Sequence, residues 1–266
     1  MSLKATASSS EKRARGFTPP VNDEERVLTK HIADLARAAL YGAPRITGFL
    51  SDREQELAAA SYAKSGAWGA FFGGYEGAER KLLLLAAEPQ EAPQFPLACV
   101  SVSAPHQERA LTHRDYLGAV LSLGLRREAV GDLLVGAQGA QIYCTPAAAA
   151  LIEAELTSVG RCAVQVQRGG GPAAQDHAGQ PEEQTVTVSS LRLDAVLAAM
   201  LRVSRADAAG LIKTGVVSVN HIETARVHYE VYESDTIRVR GYGKFKVCRV
   251  GAQSKKGRTF LTICRY

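Results

Sequence analysis

Apolar side chains recur along this chain in blocks whose period switches between helical and alternating. Val27, Leu28, Ile32, Leu35, Ala39 and Leu40 fall three or four positions apart, predicting a helix over residues 22–41 opened by Asn22 or Asp23. Ala58 to Ala63 suits a second helix. From Lys81 the pattern is mixed, with strands at Leu82–Ala86 and Leu97–Val102 and a helix at Arg114–Leu123. Two strands (Asp132–Val135, Ala140–Cys144), a helix (Ala147–Val159) and a strand (Cys162–Gln167) follow.

In the last eighty residues the spacing of Leu191, Leu193, Val196, Leu197, Met200 and Leu201 predicts an amphipathic helix. Ser204 fits an N-cap, with Asp207 three positions on to complete a capping box. Leu211 and Ile212 supply a buried face, Gly215 ends that helix, and Val216 to Val219 reads as a strand before a turn at Asn220. Thr236 to Arg240 alternates, Gly241-Tyr242-Gly243 turns, and Lys244 to Val247 resumes a strand. Ser254 to Gly257 is the next turn, before a strand from Thr259 to Cys264.

The class is therefore α+β. A mainly helical region at 21–80 precedes a ferredoxin-like or RRM-like domain at 81–167, and a small α+β module closes the chain at 185–266. Residues 168–184, opening on Gln167-Arg168-Gly169-Gly170-Gly171-Pro172, hold almost no large apolar side chain and read as a flexible tether. Residues 1–20 read as a disordered leader.

Charge separates the module from the rest. Thr185 to Tyr266 holds 14 Lys and Arg against 6 Asp and Glu, whereas residues 1–184 hold 18 against 21. No acidic residue follows Asp235. Positive charge so segregated calls for a polyanion, since phosphate contacts release condensed counterions. Arg205 stands in the first turn of a helix, a place where a cation opposes the macrodipole, and Arg192 opens the preceding helix. Asp194 reads as a residue that orients an Arg. Lys213 is read equally as a phosphate contact and as a solvated Lys. Arg238 and Arg240 share one strand face, as do Lys244 and Lys246, with Lys255, Lys256 and Arg258 beyond. Tyr242, at a turn tip, is read either as a base-stacking ring or as packing. Arg80, Arg114, Arg126 and Arg127 form either a second RNA- or protein-contacting patch or domain-stabilising pairs.

Five scattered cysteines (Cys99, Cys144, Cys162, Cys248, Cys264) have no Cys-x-x-Cys spacing, which argues against a zinc site and a disulfide framework and suits a reducing cytoplasm. No apolar run approaches membrane length, and no cofactor or metal is expected.

Arg192-Leu193-Asp194, Ser204-Arg205, Leu211-Ile212-Lys213, Gly215 and Val217-Ser218-Val219-Asn220 resemble the RNA-binding domain named for small-subunit ribosomal protein S-four. His221 stands where that domain has Gly, predicting a less tight turn. Upstream, several motifs in matching order and spacing resemble the YlmH family over roughly residues 22–266. They are Phe49-Leu50-Ser51 with Arg53-Glu54-Gln55, Phe71-Phe72-Gly73-Gly74-Tyr75-Glu76 with Glu79-Arg80, His113-Arg114-Asp115-Tyr116-Leu117-Gly118, Leu125-Arg126-Arg127-Glu128 and Gly131-Asp132. The resemblance implies a bacterial, cytoplasmic, non-enzymatic factor. Its partners would be ribosomal RNA and tRNA on the large ribosomal subunit, together with quality-control factors. The role implied is rescue of stalled peptidyl-tRNA, in support of alanine tailing.

Catalytic readings have plainer counterparts. His113-Arg114-Asp115 lacks the Gly-rich loop and Asp-Phe-Gly of a kinase, so Asp115 is expected to cap a helix. Gly73-Gly74 and Gly136 to Gly139 read as turns. The 81–167 domain lacks the aromatic pattern of an RNA-binding RRM surface, so its fold alone implies no RNA contact. The rival functions are an RNA-modifying enzyme of pseudouridine synthase or methyltransferase type and a cell-division scaffold. The only Arg-Leu-Asp lies inside the binding module, and no Gly-rich turn follows a first strand.

Overall fold

Helix α1 (Asp23–Leu40) starts where the Asn22 side chain accepts the Glu25 amide at 2.8 Å, and three acidic residues fill its first turn, complementing the macrodipole. After strand β1 (Arg45–Ile46), helix α2 (Asp52–Tyr62) opens with a capping box between Ser51 and Glu54. These belong to a computed structural model that describes residues 19–104, 111–169, 182–254 and 257–265. The described residues form two compact units, one up to residue 169 and one from residue 182. Nearly all of the expected leader, and residues 170–181 of the expected tether, lie outside the described residues.

In the first unit, strands β2 (Trp68–Phe72) and β3 (Leu82–Ala86) complete an antiparallel sheet of order β1-β3-β2. All five residues of β3 are buried, and both of its edges are paired. Ile32, Ala36 and Ala39 of α1 and Ala58 of α2 pack on Leu83 and Leu85. This corrects the division at residue 81. The strand expected to open the second domain is the centre of the first sheet, and residues 21–80 are mixed helix and strand. The reason is that the apolar run at Leu82–Ala86 needs two partner strands, and β1 and β2 are too short or too weakly alternating to stand out by pattern.

The following segment runs β4 (Ala98–Ser103), α3 (His113–Ser122), β5 (Val130–Gly136), β6 (Gly139–Cys144), α4 (Pro146–Glu155), a small hairpin of β7 (Ser158–Val159) and β8 (Cys162–Ala163), and β9 (Gln165–Arg168). Its antiparallel sheet has order β5-β6-β4-β9, the ferredoxin-like arrangement expected from βαββαβ chain order. Val100, Val102, Ala140, Ile142 and Cys144 face Tyr116, Val120, Ala148, Ala149 and Ile152 of the two helices in one core.

The second unit opens with β10 (Glu182–Val188), paired along its whole length with the last strand, β15 (Thr259–Arg265). Of the expected tether, Arg168 closes β9 and Glu182 to Gln184 open β10, so these described ends are strand. Helices α5 (Leu193–Leu201) and α6 (Arg205–Lys213) follow, then β11 (Val217–Val219), β12 (Ile222–Glu223), β13 (Thr236–Val239) and β14 (Gly243–Gln253). The sheet order is β10-β15-β14-β13-β11-β12. Leu193, Val196, Leu197, Met200, Ala208 and Ile212 pack against one face of it, on Val217, Ile237, Val239, Phe245, Val247, Leu261 and Ile263.

Two local expectations change. The β11–β12 turn is not loosened by His221. Val219 pairs with Ile222 across two residues, and Asn220 and His221 both take positive φ, 48° and 67°, as a type I′ hairpin demands. Asn220 is held there by its side chain, which donates to Asp235 Oδ1 at 2.8 Å and accepts the Thr236 amide at 2.7 Å. The cysteines also differ, since Cys248 and Cys264 form a disulfide, with Cα atoms 6.2 Å apart. Cys264 pairs in register with Lys246, and the β-bulge between Val247 and Arg249 brings Cys248 beside it. Strand pairing set this proximity, and sequence spacing does not reveal it.

Candidate nucleic-acid interface

The α5–α6 pair positions the first group of candidates. Arg192 occupies the N-cap of α5 in an extended conformation, fixed by backbone bonds from Leu193 to Tyr229 (2.8 Å) and from Val231 to Leu191 (2.8 Å). Ser204 caps α6, its hydroxyl accepting the Asp207 amide at 3.1 Å, which leaves Arg205 as the first helical residue. Between the two arginines lies Asp194, only 5% exposed. Arg192 donates from Nε to Oδ1 at 3.1 Å and from Nη2 to Oδ2 at 2.9 Å, and Arg205 donates from Nε and Nη2 to Oδ2 at 3.3 and 3.1 Å. The Ala195 amide adds a bond to Oδ1 at 2.9 Å. Burial alone would raise the Asp194 carboxyl, but the Arg192 hydrogen bonds and the charges of Arg205 and Arg192 outweigh it and hold it below the ordinary carboxylate range. The two arginine side chains stay 40% and 51% exposed, so each keeps donors for a phosphate while its position is set from below.

The second group lies on the sheet face opposite the helices. Ile237 and Val239 point into the core, so Arg238 and Arg240 point out and are exposed. On β14, Phe245 and Val247 point in, and Lys244 and Lys246 point out. The register sets Arg238 directly across from Lys244, and Ser218 on its other side. Like charges facing each other across a ladder cost stability, and an anion over the sheet offsets that cost. Arg240 makes only a loose 3.8 Å contact with exposed Glu223. Lys213 ends α6, exposed. Arg258 donates to the Thr187 carbonyl at 2.7 Å, and Lys255 and Lys256 lie outside the described residues. The structure thus unites Arg192 with Arg205, and Arg238 and Arg240 with Lys244 and Lys246, but on opposite faces of the sheet. Tyr242 belongs to neither group; its ring lines a cleft on the helix side.

In the first unit the four arginines divide. Arg80 donates to the carbonyls of Phe49 (2.7 Å), Val130 (3.2 Å) and Arg127 (3.4 Å). Arg127 donates to the carbonyls of Val130 and, at 3.2 Å, Gly131. Burial, then the charge of Arg80, pushes the Arg127 guanidinium down to about 10. Asp132, which sequence reasoning quoted only within a motif, accepts from Tyr75 Oη (2.8 Å) and the amides of Glu79 (2.7 Å) and Arg80 (3.0 Å). A Cβ at Gly73 would stand 2.4 Å from the Arg80 carbonyl, so Gly73 serves close approach within this clamp, whereas one at Gly74 would meet the Tyr143 ring. Arg80 and Arg127 are therefore clamps, and Arg114 and Arg126 alone of the four are exposed. Arg53, buried, pairs with Glu25 (2.9 Å) and Glu56 (3.0 Å), and Asp115 completes a capping box with Thr112. No helix among the described residues is long and apolar enough to cross a membrane.

Residues 89–170 match a family described as "Putative RNA-binding domain in YlmH". The ribosome-associated protein quality control protein P2 of Bacillus subtilis (strain 168) is 34% identical over 224 residues, covering 83% of this chain and 87% of the relative. The chain belongs to the YlmH family. A solved structure, the cell division protein ylmH from Streptococcus pneumoniae, superposes with a TM-score of 0.50 at 19% identity, over 58% of this chain and 96% of that one, a likeness of fold. Within the YlmH family, then, the ferredoxin-like domain carries the RNA-binding description, whereas its aromatic content gave no such indication.

Proposed function

We propose that this protein is a non-enzymatic, cytoplasmic RNA-binding factor that engages ribosomal RNA and tRNA on the large ribosomal subunit and acts in quality control of stalled peptidyl-tRNA complexes. The observation that carries the RNA reading is the Arg192–Asp194–Arg205 cluster. A buried carboxylate holds two half-exposed guanidinium forks at paired helix starts, in a module with a strong excess of positive charge. That is a preorganised anion site, because the ordering cost of two long side chains is met before RNA arrives. The ribosomal assignment is supported by the name of the B. subtilis relative. Exposed Arg114 and Arg126 of the first unit are the candidates for a second contact.

The test is co-sedimentation of the full chain with purified large subunits over a salt series, joined to chemical footprinting of the ribosomal RNA and assay of ribosomes carrying stalled peptidyl-tRNA. Salt-sensitive binding with a discrete footprint, enriched on stalled complexes, is expected. Salt-independent association without a footprint overturns the reading in favour of a protein scaffold. A modified base appearing on incubation overturns it in favour of an enzyme.

A further inference from the structure

We propose that the cleft on the helix side of the Gly241-Tyr242-Gly243 turn binds a single unpaired nucleotide of RNA, with its base on the Tyr242 ring and its phosphate between Arg202 and Arg265. The inference rests on the RNA-binding reading above and names a site separate from the Arg192–Asp194–Arg205 cluster.

The cleft measures about 300 Å³, at the small end of ligand sites and suited to one nucleotide rather than to a helix. Its walls combine an exposed aromatic ring with two cations. Tyr242 is 44% exposed and flanked by glycines at φ 88° and 119°, so a two-glycine turn presents the ring at its tip. Arg265, the last residue of β15, sets its guanidinium 5.8 Å from the centre of the Phe245 ring. Arg202 enters from the C-terminus of α5 in the left-handed region, φ 57°, where glycine is the easy choice and a residue with a side chain is held at a cost. The floor is fixed by Gln184, whose amide donates to the Met200 carbonyl at 3.3 Å. Among the lining residues Arg202 and Arg265 are charged and no acidic residue is present, so the cleft is positive.

The chemistry narrows the ligand. A free phosphate would use the arginines and leave the tyrosine idle, and a paired helix buries its base faces and cannot offer one to Tyr242. An unstacked nucleotide uses both, as aromatic platforms and adjacent cations do in single-strand recognition. Neither arginine stood out in the sequence, because a helix C-cap and a chain end carry no motif.

The experiment uses the full chain and two probes, an unstructured eight-nucleotide RNA and a blunt RNA duplex of the same length, read by fluorescence anisotropy. Tyr242→Ala should weaken binding of the single strand about tenfold and leave the duplex within about twofold, whereas Tyr242→Phe should stay near wild type on both. Arg202→Gln and Arg265→Gln should each weaken the single strand more than the duplex. Thermal denaturation of each variant checks the fold. Equal binding of the single strand by Tyr242→Ala and wild type overturns the proposal, and so do equal losses on both probes. If Arg205→Ala loses ribosome binding while Tyr242→Ala keeps single-strand binding, the cleft falls and the broader function stands. If wild type binds neither probe nor ribosomes, both fall.

Discussion

Arg192 and Arg205 donate to one and the same oxygen, Oδ2 of Asp194, at 2.9 and 3.1 Å. Two cations sharing one acceptor are held at a fixed spacing that neither helix start would impose alone. Asp194→Ala should therefore lower stability by about 1–3 kcal/mol, because the Ala195 amide and both guanidinium groups lose their acceptor. It should also weaken ribosome binding although it makes the module more positive. Chemical denaturation and co-sedimentation measure the two effects, and tighter binding would show that charge count outweighs guanidinium placement.

Arg205→Ala separates contact from fold. Its side chain is 51% exposed, and its pairing with Asp194 is backed by Arg192, so stability should change by about 1 kcal/mol or less. Ribosome affinity should fall by roughly 1.5–3 kcal/mol, the scale of a charge-assisted hydrogen bond. Arg205→Lys should recover only part of it, for lack of the planar fork. Arg192→Ala should behave alike. Full affinity in both variants would remove the cluster from the interface.

The depressed Asp194 carboxyl gives a pH signature. Its folded pKa lies below the unfolded value of about 3.9, so its contribution is fully present above that value and is lost as pH falls through the lower folded one. Wild type should therefore lose stability more steeply than Asp194→Asn as pH falls from about 5 toward the folded pKa. Parallel curves from urea titrations at stepped pH would rule this out.

The second unit was legible from sequence because its helix pair is capped and periodic, with Ser204, Asp207 and Gly215 marking its ends. Arg192, Asp194 and Arg205 were legible as a group for the same reason. What sequence hid was pairing across distance. Leu82–Ala86 announced a buried strand but not that Arg45–Ile46 and Trp68–Phe72 flank it. Arg80 and Arg127 look like surface cations until the carbonyls of Phe49, Val130 and Gly131 fold around them. Cys248 meets Cys264 only through a bulge.

Arg80 supplies a prediction of the opposite kind. Removing a half-buried guanidinium that serves three carbonyls should destabilise the first unit by roughly 2–4 kcal/mol in Arg80→Ala. By contrast, Arg114→Gln and Arg126→Gln should leave stability within about 0.5 kcal/mol, as surface changes do. Any loss of ribosome binding they cause then reports contact. A stable Arg80→Ala variant would show that water replaces the guanidinium in the clamp.

The sheet face opposite the helices makes a claim that salt can test. Arg238, Arg240 and Lys246 present charge on this face, Arg192 and Arg205 add charge on the helix side, and each phosphate met should release condensed counterions. With about four to six phosphates neutralised, log K against log salt should slope at roughly −3 to −5. Arg238 and Lys246 stand on adjacent strands with their side chains on the outer face, so replacing both by Gln removes two charges without touching the core. The slope should then flatten by about 1.5 to 2, and affinity at low salt should fall more than affinity at high salt. Folding should stay within about 0.5 kcal/mol of wild type, as surface changes do. An unchanged slope with intact folding would mean that RNA lies along the helix starts alone and that the basic ladder faces solvent in the complex.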